Sequence, residues 1–193
     1  MSATLTMAAA AESRLAPDDQ IEGMIQAAIQ GDRTALGEVV VAVERRVYKF
    51  AWRLIGDPTA AEDITQEVLI KIARNLGRYR PGSNLWAWIY RIVVNQVHDY
   101  RRGNALRPEI LPVAAGYDPE LQEQLGRIQE ALAILTPKER EAIILLEVEG
   151  YTSREAASIL GSLAITVRTR AAHARKKLRQ HLSRYYPELG EKP

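Results

Sequence analysis

Apolar residues recur through most of the chain at intervals of three and four, which is the spacing of one face of an α-helix. One such stripe consists of Ile21, Met24, Ile25, Ala28 and Ile29. A longer stripe runs from Leu36 to Leu54, and the alternation typical of a β-strand is almost nowhere to be found. The pattern therefore predicts an all-α fold.

Capping residues place the ends of the N-terminal helices. Gly56 ends the long stripe, and Asp57-Pro58 supplies an N-cap and a first-turn proline for a helix that ends at Leu76-Gly77. After the turn Arg80-Pro81-Gly82, we expect Ser83 to cap a helix that runs to about Arg102. Residues 20–102 are thus predicted to form one four-helix domain, preceded by a disordered tail over residues 1–19.

A second helical domain is predicted over residues 120–186, behind a linker at 103–119 that holds two glycines and three prolines. Thr136 with Glu139 and Thr152 with Glu155 form two capping boxes, each of which opens a new helix. A last helix is expected from about Ile165 to Tyr185. The fold class is therefore two small helical domains joined by a flexible linker, with a short tail at 187–193.

Composition excludes several classes of protein. The 193 residues are 47% hydrophobic and 26% charged, and none is cysteine, so disulfides, iron–sulfur clusters and thiolate zinc sites are excluded. The N-terminus has no basic start and Glu12 interrupts its apolar stretch, so we expect no signal peptide. No apolar run approaches a membrane span. The histidines have no metal-ligand spacing and no nucleotide-binding loop is present, so we expect a cytoplasmic protein without a cofactor, metal or membrane insertion.

Charge is distributed in blocks that the formal net charge of +2 conceals. Residues 71–102 hold seven bases and one acid, and residues 164–184 hold seven bases and no acid. Residues 57–70 hold four acids and no base. Two basic segments separated by acidic ones suit a chain that binds a polyanion at two places, although solvated helix faces would give the same composition.

The C-terminal segment has the pattern of a helix-turn-helix. Ala156 and Ala157 are small where two helices must cross closely, and Gly161 stands where a left-handed turn is needed. On the last helix, the buried stripe is predicted to be Val167, Ala171, Ala174 and Leu178. The opposite face carries a hydroxyl, an imidazole and cations, which suit a DNA major groove: Arg168, Thr169, Ala172, His173, Lys176 and Arg179.

The last helix of the first domain carries aromatic and amide groups among its arginines. One predicted face holds Asn84, Trp88, Arg91, Asn95, His98 and Arg102, with Trp86 and Tyr90 beside it. Arg78, Tyr79 and Arg80 precede this helix across the turn. Such a surface fits single-stranded nucleic acid, because bases stack on rings while guanidinium groups hold phosphates. Core packing is the competing account for either tryptophan.

An acidic face is predicted on the third helix, where Glu62, Asp63, Gln66 and Glu67 lie opposite the apolar stripe. A solvated face, a docking surface for a basic partner, and a metal-dependent catalytic site remain open for it. The catalytic alternative is the weakest, because a lone helix face provides no pocket.

Three segments together resemble the extracytoplasmic-function (ECF) group of bacterial RNA polymerase sigma factors, in the family's order and over about residues 20–184. They are Asp57 to Val68, Arg78 to Asn95, and Leu135 to Glu141 with Gly161 to Lys177. The resemblance implies a non-enzymatic subunit of two DNA-binding domains. It also implies that the chain directs core polymerase to −35 and −10 promoter elements and melts the DNA.

The resemblance assigns a role to each segment. Core polymerase binding is implied for Glu62, Asp63, Gln66 and Glu67. Recognition and melting of the single-stranded −10 element is implied for Arg78, Arg80, Ser83, Asn84, Trp86, Trp88, Arg91, Asn95, His98 and Arg102, where the turn captures an extruded base. Reading of the double-stranded −35 element is implied for Thr166, Arg168, Thr169, Ala172, His173, Lys176 and Lys177. An anti-sigma factor is the implied inhibitor, and we expect a monomer when the chain is free.

Two positions depart from the family pattern, and one rival family shares part of it. Ser162-Leu163 stands where the family more often has an apolar residue followed by serine, and His173 stands where arginine is frequent. A LuxR-type transcription regulator would share the opening Leu135-Thr136-Pro137 and the helix-turn-helix. Such regulators usually carry an α/β domain upstream, for which residues 20–102 offer no strand pattern.

Overall fold

The computed structural model describes residues 18–103 and 129–185, and the regular elements in these ranges are helices. The predicted all-α fold is confirmed. The first module consists of α1 (Asp18–Ile29), α2 (Arg33–Ile55), α3 (Pro58–Asn75), a 3₁₀ turn (Leu76–Arg78) and α4 (Leu85–Gly103). The second module consists of a helical segment at 129–133, α5 (Pro137–Ile143) with a π-helical continuation (Ile144–Val148), α6 (Ser153–Leu160) and α7 (Ala164–Leu182).

Some expectations lie outside the described residues. These are the two tails, the linker beyond residue 103, and the start of the helix expected before residue 129. The domain boundaries drawn from sequence therefore remain predictions. Of the described helices, none is both long and apolar enough to cross a membrane.

Local capping begins and ends the helices of the first module. The Asp32 carboxylate accepts hydrogen bonds from the amides of Thr34 and Ala35, at 2.8 and 3.1 Å, before α2 begins. Gly56 ends α2 in the left-handed conformation with φ 83°, a conformation that favours glycine. Asp57 then caps α3 by accepting from the amide of Ala60 at 3.1 Å, as its position before a proline predicts.

The turn before α4 is organised differently from the prediction that Ser83 caps this helix. Asn84 is the capping residue, since its side-chain oxygen accepts from the amide of Ala87 at 2.9 Å. The Ser83 hydroxyl donates instead to the carbonyl oxygen of Arg80 at 2.7 Å. The turn has the pattern of type II, with proline at its second position, glycine at its third and φ 80° at Gly82. The Ser83 hydroxyl thus bonds within this turn and does not cap α4.

The second module contains the predicted helix-turn-helix. Both capping boxes are present, Thr136 with Glu139 at the start of α5 and Thr152 with Glu155 at the start of α6. Gly161 ends α6 with φ 58°. Ala156 and Ala157 are buried, and so are Val167, Ala171 and Ala174 of α7, so the small residues allow the two helices to pack closely.

The two modules pack against each other, and their buried apolar residues form one continuous core. Helix α4 contacts α6, and α2 contacts α5. The ring of Tyr151 meets that of Tyr90 edge-on at 6.0 Å between centroids. The residues expected to bind the −10 element therefore lie beside, and partly beneath, the second module.

Candidate polymerase and nucleic-acid interfaces

The acidic face of α3 is exposed as predicted. Glu62, Asp63, Gln66 and Glu67 are all solvent-exposed, while Ile64, Val68 and Ile72 on the opposite side of the helix are buried. The caps at Asp57 and the packing of this apolar stripe fix the orientation of α3. The result is a polar ridge suited to charge-assisted contacts with a basic partner. Within the described residues, no group of three or more metal-ligating side chains comes together.

Trp88 is the tryptophan of α4 that remains partly accessible. Its ring lies 5.6 Å from that of Tyr79, and it lines an open cavity of about 270 Å³. The other residues of this cavity wall combine cations, amides and one apolar side chain: Lys71, Asn75, Arg78, Ile92 and Asn95. A ring beside cations and amides has the chemistry that holds an unstacked base and its phosphate.

Trp86 requires a correction, because the structure buries it to 6% exposure. Its indole nitrogen donates to a carboxylate oxygen of Asp18 at 2.8 Å, and the Arg46 guanidinium lies 4.0 Å from its ring centroid. The helical period placed Trp86 beside an exposed face. The structure places it between α4, α1 and α2, and so the indole is a packing element in this arrangement.

The second module covers part of the predicted −10 surface. Arg91 donates to the carbonyl oxygen of Ser158 at 2.5 Å and to its hydroxyl at 2.9 Å. His98 pairs with Glu141 at 2.8 Å between ring nitrogen and carboxylate. The Arg78 and Arg80 side chains and those of Ser83, Asn84, Asn95 and Arg102 are exposed. Part of the surface is therefore open and part is held by α5 and α6.

Glu149 is the central polar contact between the modules. Its side chain is only 7% exposed, and its two oxygens accept from Arg53 Nη1 at 2.9 Å and from the Tyr90 hydroxyl at 2.5 Å. Arg46 adds an ion pair at 3.6 Å and also donates to the Tyr90 oxygen at 2.8 Å. Burial and the adjacent Glu149 charge raise the pKa of Tyr90, which keeps its hydroxyl protonated as a donor.

Helix α7 presents the predicted −35 face. The exposed residues include Arg168, Thr169, Ala172, His173 and Lys176, while Thr166 is half-buried. Arg168 reaches back to the Ser153 hydroxyl at 3.3 Å, and Thr169 donates to the carbonyl oxygen of Ile165 at 3.0 Å. Lys177 is ion-paired with Glu139 at 2.7 Å, so its charge is partly neutralised within the module.

Sequence reasoning missed the two carboxylates that organise these surfaces. Glu149 bonds residues 59 and 96 positions away, and Glu22 bonds the amide of Gly82 across 60 positions. Neither belongs to a local motif, since capping boxes and helical faces involve neighbours within about four residues. The one available signal was the placement of acids close to basic segments.

Comparison with known proteins identifies the two modules. Residues 39–107 match the family model described as Sigma-70 region 2, and residues 125–178 match Sigma-70, region 4. The ECF RNA polymerase sigma factor SigE of Mycolicibacterium smegmatis is 33% identical, over 91% of this chain and 73% of the relative. The chain belongs to the ECF sigma factors.

Other relatives agree with this assignment. ECF sigma factor EcfG of Rhodopseudomonas palustris is 32% identical over 75% of this chain and 83% of its own length. The sigma factor RpoE of Bartonella quintana, solved in complex with the anti-sigma factor NepR, superposes with a TM-score of 0.68 at 28% identity, covering 76% of this chain and 96% of that one. This sigma factor thus has the family's core-polymerase and promoter-binding regions. Nothing favours the LuxR alternative, because α3, α4 and most of α2 lie within the region 2 match.

Proposed function

We propose that this sigma factor binds its partners through three separate surfaces. The acidic face of α3 docks on core polymerase, the turn at residues 79–84 and the open part of α4 bind the melted −10 strand, and α7 reads the −35 duplex. Glu62, Asp63, Gln66 and Glu67 are the docking residues. The chain itself catalyses no reaction and acts in the cytoplasm, where the polymerase works.

The observation that carries this assignment is the separation of charge on the exposed surfaces. Helix α3 presents three exposed carboxylates, whereas α7 and the turn before α4 present exposed cations. Acids repel DNA phosphates and cations attract them. A single chain with both kinds of surface on rigid helices can therefore hold a protein partner at one and nucleic acid at the others.

Promoter binding would require the modules to separate. Arg91 and His98 cannot reach DNA while they bond Ser158 and Glu141. Binding of −10 DNA and closure of the modules therefore compete for the same side chains. An inhibitor that favours the closed arrangement would block the sigma factor, and the Bartonella relative's complex with an anti-sigma factor supports this class of partner.

Run-off transcription tests the proposal. Purified core polymerase, with and without the chain, is given a library of random upstream sequences, and the initiated transcripts are sequenced. We expect initiation downstream of an enriched pair of motifs only when the chain is present. Equal transcript patterns with and without it would refute the proposed function.

A further inference from the structure

The carboxylate of Glu22 on α1 holds the turn that precedes α4. One oxygen accepts from the backbone amide of Gly82 at 2.9 Å, and the other accepts from the Tyr79 hydroxyl at 2.9 Å. The same hydroxyl lies 2.7 Å from the carbonyl oxygen of Ser83. Glu22 therefore bonds the turn directly at two points, the Tyr79 hydroxyl before it and the Gly82 amide at its centre.

The turn needs such an external acceptor. Its own closing bond runs from the amide of Ser83 to the carbonyl of Arg80 at 3.0 Å, which leaves the central amide of Gly82 without a partner inside the turn. Gly82 has φ 80°, a conformation that other residues rarely adopt. Glu22 satisfies the free amide and so selects one orientation of the central peptide.

Glu22 is itself rigidly placed. Its neighbours Ile21 and Ile25 are 1% and 0% exposed and anchor α1 in the core of the first module. Asp18, one helical turn earlier, accepts from the Trp86 indole at 2.8 Å, so α1 bonds both the turn and the start of α4. Burial, and then the bond to Glu22, raise the pKa of Tyr79 from 10 to about 12, so its hydroxyl remains a donor well above neutral pH.

We propose that Glu22 is a positioning residue for capture of the −10 strand, acting by holding the turn at residues 79–84 in its binding conformation. The inference rests on the proposed function of that turn. A carboxylate repels DNA phosphates, so Glu22 is unsuited to touch the strand itself. It also precedes residue 39, where the match to region 2 begins, and lies outside the three segments from which the family resemblance was drawn.

The test measures binding of holoenzyme, assembled from core polymerase and the full chain, to a single-stranded −10 oligonucleotide taken from the selected motif. Glu22→Ala should weaken this binding about tenfold, the effect of losing a hydrogen bond to a charged acceptor. Association with core polymerase and with a −35 duplex should be unchanged. Asp19→Ala, which removes the same charge from an exposed site on α1, is the matched control and should bind normally.

A conservative variant separates positioning from charge. In Glu22→Gln, the amide oxygen can accept from Gly82 while the amide nitrogen donates to the Tyr79 oxygen, whose single proton can then go to the Ser83 carbonyl. We therefore expect Glu22→Gln to bind the −10 strand within about twofold of wild type. Weakening equal to that of Glu22→Ala would overturn the proposal, since charge rather than geometry would then be the cause.

Two further outcomes are decisive. If Glu22→Ala unfolds, Glu22→Met replaces it, because this variant keeps a side chain of similar length and removes both acceptor oxygens; normal −10 binding by Glu22→Met would overturn the proposal. If Glu22→Ala folds and binds like Asp19→Ala, the positioning role is refuted while the proposed function stands. Failure of wild-type holoenzyme to bind any −10 strand would instead refute the proposed function.

Discussion

Replacing Glu149 with alanine should release the second module from the first. The variant removes the acceptor shared by Arg53 and Tyr90 and the ion pair to Arg46. Two cations then face each other across the former site, and the Tyr90 hydroxyl loses its carboxylate partner. The change should therefore favour the open arrangement over the closed one.

The size of the effect follows from burial. Removing one partner of a fully buried ion pair costs about 3–5 kcal/mol. Both arginine side chains are 31% exposed, however, so water can solvate them once the carboxylate is gone. We expect Glu149→Ala to destabilise the closed arrangement relative to the open one by about 1–3 kcal/mol. This corresponds to a roughly 5- to 150-fold shift of the equilibrium toward the open arrangement. The bonds of Arg91 to Ser158 and of His98 to Glu141 remain and limit the shift.

The chain is well suited to the measurement because it contains no cysteine. Cysteines introduced at the exposed positions Gln26 on α1 and Gln180 on α7 can carry spin labels, and the distance between them reports closure. Wild type should give one narrow distribution of distances, and Glu149→Ala should add a second, broad population. Binding of the −10 strand should improve by no more than the same factor.

Glu147→Ala is the matched control. Glu147 is also an acid next to the interface, but it pairs with Arg175 at 2.7 Å inside the second module, with both side chains about half exposed. Its loss should leave the distance distribution unchanged. Identical distributions for wild type and Glu149→Ala, or an equal change in Glu147→Ala, would refute the reasoning.

Three further predictions concern the other surfaces. Asp63→Ala with Glu67→Ala should weaken co-elution with core polymerase without changing the circular dichroism spectrum, since both side chains are exposed; undiminished co-elution would exclude this face as the dock. Arg168→Ala should change the −35 motif obtained by selection, at about 1–3 kcal/mol for a lost base contact, whereas Lys176→Ala should keep the motif and lower the salt dependence of binding; the same motif for Arg168→Ala would contradict the assignment. Burial alone would raise the pKa of Glu139, but hydrogen bonds from Lys177 and Thr136 lower this pKa below the usual 4.5. The ionised Glu139 therefore stabilises the fold at neutral pH, and this stabilisation is lost as the pH falls through the lowered pKa. The thermal unfolding temperature of Glu139→Gln should accordingly change less than that of wild type between roughly pH 5 and pH 3. Parallel plots of unfolding temperature against pH for the two proteins would argue against this role.

The amino-acid sequence predicted the helix ends and the buried faces of single helices well. The capping boxes at Thr136 and Thr152, the N-cap at Asp57 and the left-handed glycines at 56 and 161 all stand where the sequence places them. These features are decided by bonds within three or four residues and by the steric freedom of glycine. The helical period likewise separated the buried and exposed sides of α3 and α7, because each packs along a single stripe.

Features that join distant parts of the chain were decided by tertiary packing. Helix α4 contacts α2, α3 and α6, so more than one of its faces is covered. The helical period of apolar residues distinguishes only one buried and one exposed face. It therefore could not predict the burial of Trp86. Asn84, not Ser83, caps α4 because the Ser83 hydroxyl closes the preceding turn. The hydrogen bonds of Glu149 and Glu22 span 57 to 96 residues. Such contacts depend on how whole helices pack. The position of a carboxylate in the sequence therefore does not predict which distant cation or amide it will contact.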